Sequence, residues 1–540
     1  MSDDDTENGS DDMPSEPESA APAGGSGDML EDMFDLTGNK TDMNTELMAG
    51  LTSFLATAYI IFVNPAILGE AFAFHGITDA GNSLVTATIF VSAFSSIAMG
   101  VYARNPIVLA PGMGLNAFFA YTVCAPWGMN LNPYIALGAI FWSGVIFILL
   151  SVFNIRTEIV KAIPSQLRYG VAIGIGLFLA LLGFADHTDF VVGGAGTIVS
   201  LGNMFPDDGS LTDRLLGYDQ SMMVFVFGLM FTGALIGRKV PGALSIGILA
   251  TTAYAFMYGR VLGGAEMVAI PDKMFEAPDF SLVAAIFSNQ DYTWVPHCVG
   301  AVAENAVACA EADGTWSEML DFSDPDNPVG AGSVEMVVGI PLIESLKFGV
   351  LPAMFAFLFT DMFDSISTFV GVSEVGGLND ENGDPRNIKE SLIVDGGSTA
   401  IAGLFGSSSG TSYIESAAGI EAGGRSGLTA AFAGLLFIPF LFLGPVIGMV
   451  PLAASAPILV LIGLFMCKPI AKIDWNDFET AFPAFMAMML IPFTYSITQG
   501  IIWGFLSWTA IKIFVGKADQ ISIPLWAINV FSILALIYAD

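Results

Sequence analysis

Apolar segments about as long as a bilayer is thick follow one another from residue 47 onward, and they restrict the fold more than any other feature. They lie at roughly 47–69, 84–102, 107–125, 133–153, 169–184, 222–238 and 241–259. After a break they resume at 349–372, 393–408, 411–424, 428–450 and 451–466. About 20 apolar residues carry a helix across the hydrocarbon layer. Backbone polar groups find no water there, so only helices and closed barrels span it. Of the 540 residues 54% are hydrophobic and 13% are charged, too few charges to coat a soluble body of this size. The expected fold class is an all-α polytopic membrane protein of about fourteen spans. The end is ambiguous: 479–514 is long for one helix and short for two, with Pro492 and Gly500 as candidate breaks, before a last segment at 523–538. A hairpin there makes fifteen.

The formal net charge of −34 is concentrated in two places. Residues 1–46 hold fourteen acids and one base, Lys40, and residues 260–348 hold another fourteen acids. Four regions are expected: a 1–46 acidic, disordered cytoplasmic tail, a 47–259 first half, a 260–348 acidic extracellular loop and a 349–540 second half. No basic stretch with a following apolar run precedes the tail, so no cleaved signal is expected. Such acidity argues against nucleic-acid partners and resembles the surfaces of proteins from salt-loving archaea. With the N-terminus inside the cell membrane, twelve of the eighteen lysines and arginines fall on the cytoplasmic side, as basic residues do in membrane proteins. The 260–348 loop is then outside, where Cys298 and Cys309 are either a disulfide or free thiols.

Two of the apolar segments are broken. Phe405 to Leu428 reads F-G-S-S-S-G-T-S-Y-I-E-S-A-A-G-I-E-A-G-G-R-S-G-L, with six glycines and, at membrane depth, the carboxylate of Glu415, and Ala110 to Ala120 reads A-P-G-M-G-L-N-A-F-F-A. Irregular backbone at membrane depth must be shielded by protein or line a cavity, and a matching pair of such segments points to a transporter's binding site. The break begins about 64 residues into the first half (47 to 111) and about 61 into the second (349 to 410). An odd number of spans in each half turns this into an inverted repeat; the alternative is a coincidence of loop lengths.

Asp361 and Asp364, in F-L-F-T-D-M-F-D-S, are three apart and share one helix face. Carboxylates inside an apolar span cost several kcal/mol unless protonated, paired or hydrated, so they are functional candidates; a packing pair satisfied by Ser and Thr is the plainer alternative. Close carboxylates titrate in separate steps, which suits proton coupling by Asp361 and Asp364. Glu415, Thr411 and Asn116 offer polar side chains, and Gly112 and Gly114 permit close backbone approach. With Asp361 these form a substrate-binding set for a small, flat, neutral ligand with ring N–H and carbonyl groups. Phe118 and Phe119 either stack on such a ring or simply pack. His75 and His187 in short turns, and His297 in the acidic loop, read as surface residues. No nucleophile motif and no metal-ligand spacing occurs, so neither an enzyme, a cofactor nor a metal is expected.

At these residues the chain resembles the nucleobase–cation symporters of the xanthine/uracil permease type, in their adenine/guanine/hypoxanthine permease (AzgA-like) branch. The resemblance covers roughly 43–515 and rests on L-T-S-F-L-A-T-A-Y-I-I-F-V-N-P-A-I-L at 51–68, A-R-N-P-I-V-L-A-P-G-M-G-L-N-A-F-F-A-Y-T-V at 103–123 and T-D-M-F-D at 360–364. It continues with Y-I-E-S-A-A-G-I-E-A-G-G-R-S-G-L-T-A at 413–430 and I-P-F-T-Y-S-I at 491–497. It implies two inverted seven-span repeats, with a core domain (spans 1–4 and 8–11) working against a gate domain (spans 5–7 and 12–14). The broken spans 3 and 10 then pair as short antiparallel strands, each leading into a half-helix. It also implies import of adenine, guanine or hypoxanthine with a cation, a proton or Na+, and a homodimer. Asp361 becomes the span-8 carboxylate that binds purine or proton, Glu415 the span-10 carboxylate on the purine ring, and Asn116 a span-3 contributor. Ser407 and Ser409 stand where the family has threonines, and S-I-S-T follows T-D-M-F-D, which leaves the preferred purine open. The alternatives are a uracil/xanthine or sulfate-type anion carrier on the same fold and, more distantly, a membrane enzyme or channel.

Overall fold

The computed structural model describes residues 26–153, 163–185, 187–188, 190–194, 197–202, 220–261, 267–283, 285–287, 290–294, 297–299, 315–317, 334–338, 340–379 and 385–538. A helix α1 (Ser26–Phe34) comes first. The first half then contains α2 (Met43–Ala73), α3 (Gly81–Val101), α4 (Met113–Cys124), α5 (Pro133–Val152), α6 (Ser165–Phe184), α7 (Gln220–Gly237) and α8 (Ala243–Val261). The second contains α9 (Leu351–Gly376), α10 (Ile388–Phe405), α11 (Ser416–Glu421), α12 (Gly427–Phe437), α13 (Leu452–Met466), α14 (Phe478–Phe493), α15 (Ile497–Phe514) and α16 (Ile523–Tyr538). Local chemistry sets the ends. The Asp42 carboxylate accepts from the Asn44 and Thr45 N–H groups at the start of α2, and Gly377 (φ 60°) and Gly406 (φ 91°) end α9 and α10 in the left-handed region, where a Cβ is unfavourable.

The packing repeats with the halves exchanged. α3 lies on α12 as α5 lies on α10, α2 meets α12 as α9 meets α5, and α6 rests on α14 as α13 rests on α7. Close approach at both central crossings needs glycine. A Cβ on Gly100 would come 2.7 Å from the Ala431 nitrogen, and one on Gly403 would come 2.6 Å from the Phe141 nitrogen. Small residues take this place where lipid supplies no hydrophobic drive between helices.

At the centre, β1 (Leu109–Pro111) and β2 (Gly410–Ser412) pair antiparallel, with Ala110 opposite Thr411, as expected for broken spans 3 and 10. Three residue pairs cannot satisfy every backbone group of two strands in a membrane, so hydroxyls finish the work. The Ser96 hydroxyl meets both the carbonyl (2.8 Å) and the N–H (3.0 Å) of Leu109. Ser416 Oγ accepts from the Val108 N–H at 2.9 Å. In the other half the Thr399 hydroxyl lies 3.1 Å from the Gly410 carbonyl. Ser95 and Ser398, the neighbours of Ser96 and Thr399, bond each other across the pseudo-two-fold at 2.7 Å.

Two expectations change, and the open reading of 479–514 is decided. The tail expected to be disordered over 1–46 is helical from Ser26, and Phe34 is buried against Leu428 and Ala431; residues 1–25 lie outside the described residues. Residues 479–514 form the helical pair α14 and α15, turning at Tyr495 with φ 51°. Because this pair stands to α6 as α7 and α8 stand to α13, α16 is left without a first-half counterpart. His75 and His187 are not surface residues. They are 1% and 7% exposed, because each finds a polar partner inside: the Cys124 carbonyl for His75 (3.0 Å) and the Tyr121 hydroxyl for His187 (2.9 Å). The side chains of His297, Cys298 and Cys309 lie outside the described residues.

Candidate functional site

The strand β2 runs between three aspartates, and hydroxyls tie its two end residues to two of them. Thr399 of α10 links the Gly410 carbonyl to Asp361, its hydroxyl 2.5 Å from Asp361 Oδ2. Thr411 lies close enough to Asp364 to act on its carboxylate. The Ser412 hydroxyl donates to Asp395 Oδ1 at 3.1 Å. Successive strand side chains point to opposite faces, which is why Thr411 and Ser412 reach aspartates on different helices, α9 and α10.

Asp361 and Asp364, although one turn apart on α9, have different surroundings. Asp361 is 1% exposed and Asp395 is fully buried. Asp364 and Glu415 are half-buried, and they lie within electrostatic range of each other. The structure therefore brings Asp364 within electrostatic range of Glu415. Glu415 immediately precedes the short helix α11 without a side-chain bond to its N–H groups, and its Oε1 accepts from the Tyr59 hydroxyl at 2.9 Å. Lys468, exposed at the end of α13, is within electrostatic range of Glu415.

The other broken span is packed shut. Asn116 is fully buried; its Oδ1 accepts from the Ser408 hydroxyl, and its Nδ2 lies 3.7 Å from Met113 Sδ. The Gly112 N–H donates to the Ser409 carbonyl at 2.9 Å. The space that its missing Cβ leaves belongs to Thr411, 2.8 Å away, and that at Gly114 belongs to Ile175, 2.6 Å away. Close approach is used at both glycines, by protein side chains. Phe118 and Phe119 are fully buried, and Phe118 packs edge-on against Phe357 at 4.8 Å.

Sequence reasoning missed Asp395, Tyr59 and Glu46. Asp395 had the same signal as Asp361, a carboxylate inside an apolar segment. Glu46 is fully buried and accepts from the Arg425 and Ser426 N–H groups (2.8 and 3.1 Å) and the Thr429 hydroxyl (2.5 Å), capping α12. Among the described residues, no group of three or more His, Cys, Asp or Glu side chains is placed to hold a metal ion. The arrangement leaves two carboxylates, Asp364 and Glu415, partly exposed as hydrogen-bond acceptors beside the broken spans.

The Permease family, of the xanthine/uracil type, matches residues 44–299 and 315–502. Over 513 residues the chain is 33% identical to the adenine permease AdeP of Escherichia coli, covering 95% of this chain and 97% of that one. It is 31% identical over 507 residues to the guanine/hypoxanthine permease PbuO of Bacillus subtilis, covering 94% and 99%. Among solved structures, the transmembrane domain of the cyanobacterial bicarbonate transporter BicA superposes with a TM-score of 0.52 at 15% identity, covering 86% of this chain and 97% of that domain. That likeness shows the inverted-repeat membrane fold. With the family match running through most of the sequence and relatives above 30% identity along its length, this multi-pass membrane protein belongs to the xanthine/uracil permease family.

Proposed function

We propose that the protein is a secondary active transporter that imports purine nucleobases with a cation, a proton first among the candidates, by alternating access. The observation that carries this reading is the half-buried pair Asp364 and Glu415 beside Thr411, where the two broken spans cross. A purine presents ring N–H donors and flat faces, and carboxylate acceptors match those donors. The full-length relatives named for adenine and for guanine/hypoxanthine favour purines over uracil, and the acidic site disfavours an anion such as sulfate. Asp364 and Glu415 face the purine in this reading, with Asn116, Gly112, Gly114 and Thr411 shaping the crossing. Asp361, closed on Thr399, takes part in cation coupling together with Asp364. The core then moves against a gate built from α6–α8 and α13–α15, with the N-terminus on the cytoplasmic side and the chain paired as a homodimer.

One relative, 30% identical over 500 residues, is named an efflux pump, notK' of Aspergillus versicolor, which favours export as the second reading. The deciding experiment is radiolabelled adenine and hypoxanthine flux in vesicles, measured in both directions, with guanine, uracil, xanthine and sulfate as competitors. Saturable inward flux that is blocked by purines and collapsed by a protonophore is the expected result. Flux blocked by uracil or sulfate instead overturns the substrate, and flux insensitive to both protonophore and Na+ removal overturns the coupling.

A further inference from the structure

We propose that Tyr59 is a positioning residue: it holds the Glu415 carboxylate in one orientation and so sets the strength with which the site holds a purine. The proposal rests on Glu415 facing substrate, and on an arrangement of three elements that no single one of them explains.

Tyr59 sits where α2 is interrupted, between the segments Met43–Thr57 and Ile60–Ala73. The backbone tightens there through three-residue bonds, Ile61 N–H to the Ala58 carbonyl (3.2 Å) and Phe62 N–H to the Tyr59 carbonyl (3.1 Å). A regular span would carry a tyrosine at this depth into lipid or into a packed seam. The interruption instead leaves Tyr59 1% exposed, with its hydroxyl 2.9 Å from Glu415 Oε1. A second tyrosine backs it. The Tyr413 ring lies 6.3 Å away, and the Tyr413 hydroxyl donates to the Pro111 carbonyl at the end of β1. Span 1, both strands and Glu415 are thereby joined through two phenols.

A carboxylate on a rotatable stem loses orientation entropy each time it receives a ligand, and a fixed donor on one oxygen removes that loss. With Oε1 taken by Tyr59, Glu415 keeps a defined acceptor direction for a ring N–H. A phenol also keeps the carboxylate hydrogen-bonded when the site is empty, so that a buried acceptor is not stranded.

The test compares Tyr59→Phe, Glu415→Gln and the double substitution in vesicles, with uptake normalised to transporter at the membrane. Tyr59→Phe is expected to raise the adenine KM about tenfold, the worth of ~1.4 kcal/mol, with maximal uptake changed less than about twofold. In the Glu415→Gln background the same change should add little, because coupled residues are not additive. A purely structural Tyr59 gives the opposite result: less folded transporter, a lower thermal midpoint in detergent and an unchanged KM. That outcome, or additive effects in the double variant, overturns the proposal. Should Glu415→Gln itself transport normally, it is the site reading that fails.

Discussion

The two broken spans share one backbone plan and differ in what they present. In the first, β1 is Leu-Ala-Pro, its outer backbone groups are met by the hydroxyls of Ser96, Ser416 and Tyr413, and every residue from Ile107 to Cys124 is buried. In the second, β2 is Gly-Thr-Ser, its two end residues are tied to aspartates, and Glu415 with Asp364 remains partly open. One copy of the repeat is scaffold and the other holds the acids. Ser96 and Thr399 make the difference visible in a single pair of equivalent positions: both satisfy a strand, but only Thr399 also meets a carboxylate.

The comparison breaks most readily at the acids. Glu415→Gln and Asp364→Asn should each lower purine uptake roughly tenfold to a hundredfold at equal membrane level, as expected for losing a charge-assisted hydrogen bond, whereas Asn116→Ala in the packed half should cost less. Equal losses in the two halves would show that the first span also binds. Next comes the equivalent pair. Thr399→Ala and Ser96→Ala should each lower stability by about 1–3 kcal/mol, the cost of an orphaned buried group, seen as a lower midpoint in thermal unfolding; only Thr399→Ala should also alter the pH dependence of uptake. A smaller effect is expected at the core–gate contact. Gly114→Val puts a side chain where Ile175 of α6 already sits, so the maximal rate should fall severalfold with KM nearly unchanged, measured as initial uptake. The smallest effect lies outside the membrane. The Thr45 hydroxyl holds the Asp42 carboxyl below the usual carboxylate range. The stabilisation by this cap is present above the unfolded value and is lost as pH falls through the lower folded one. Asp42→Ala should therefore slightly reduce stability at neutral pH and flatten its decline in acid, without changing transport.

Much of this was legible because bilayers leave few choices. Glycine at 406, 410, 112 and 114 marks backbone that cannot be a plain lipid-facing helix, and carboxylates at 361, 364 and 415 stand out against apolar neighbours. What the sequence hides is pairing across the inverted repeat. Tyr59 looks like any aromatic in a span until Glu415 is placed beside it, and the histidines at 75 and 187 look like turn residues until α4 supplies their partners. The turn between α14 and α15 carries no glycine, since Tyr495 itself takes the positive φ; of the two candidate breaks Pro492 lies at the end of α14 and Gly500 inside α15, so the sequence left one helix and a hairpin both open.

The Ser95–Ser398 bond joins residues 303 positions apart, and the pairing of β1 with β2 spans a similar separation. During synthesis the first half enters the membrane with an unpaired strand at its centre, and only the arrival of the tenth span supplies the missing partner. Backbone groups left unmatched in hydrocarbon are costly, so the core cannot settle until the chain is nearly complete. Biogenesis, more than final stability, is where an inverted repeat of this kind is vulnerable.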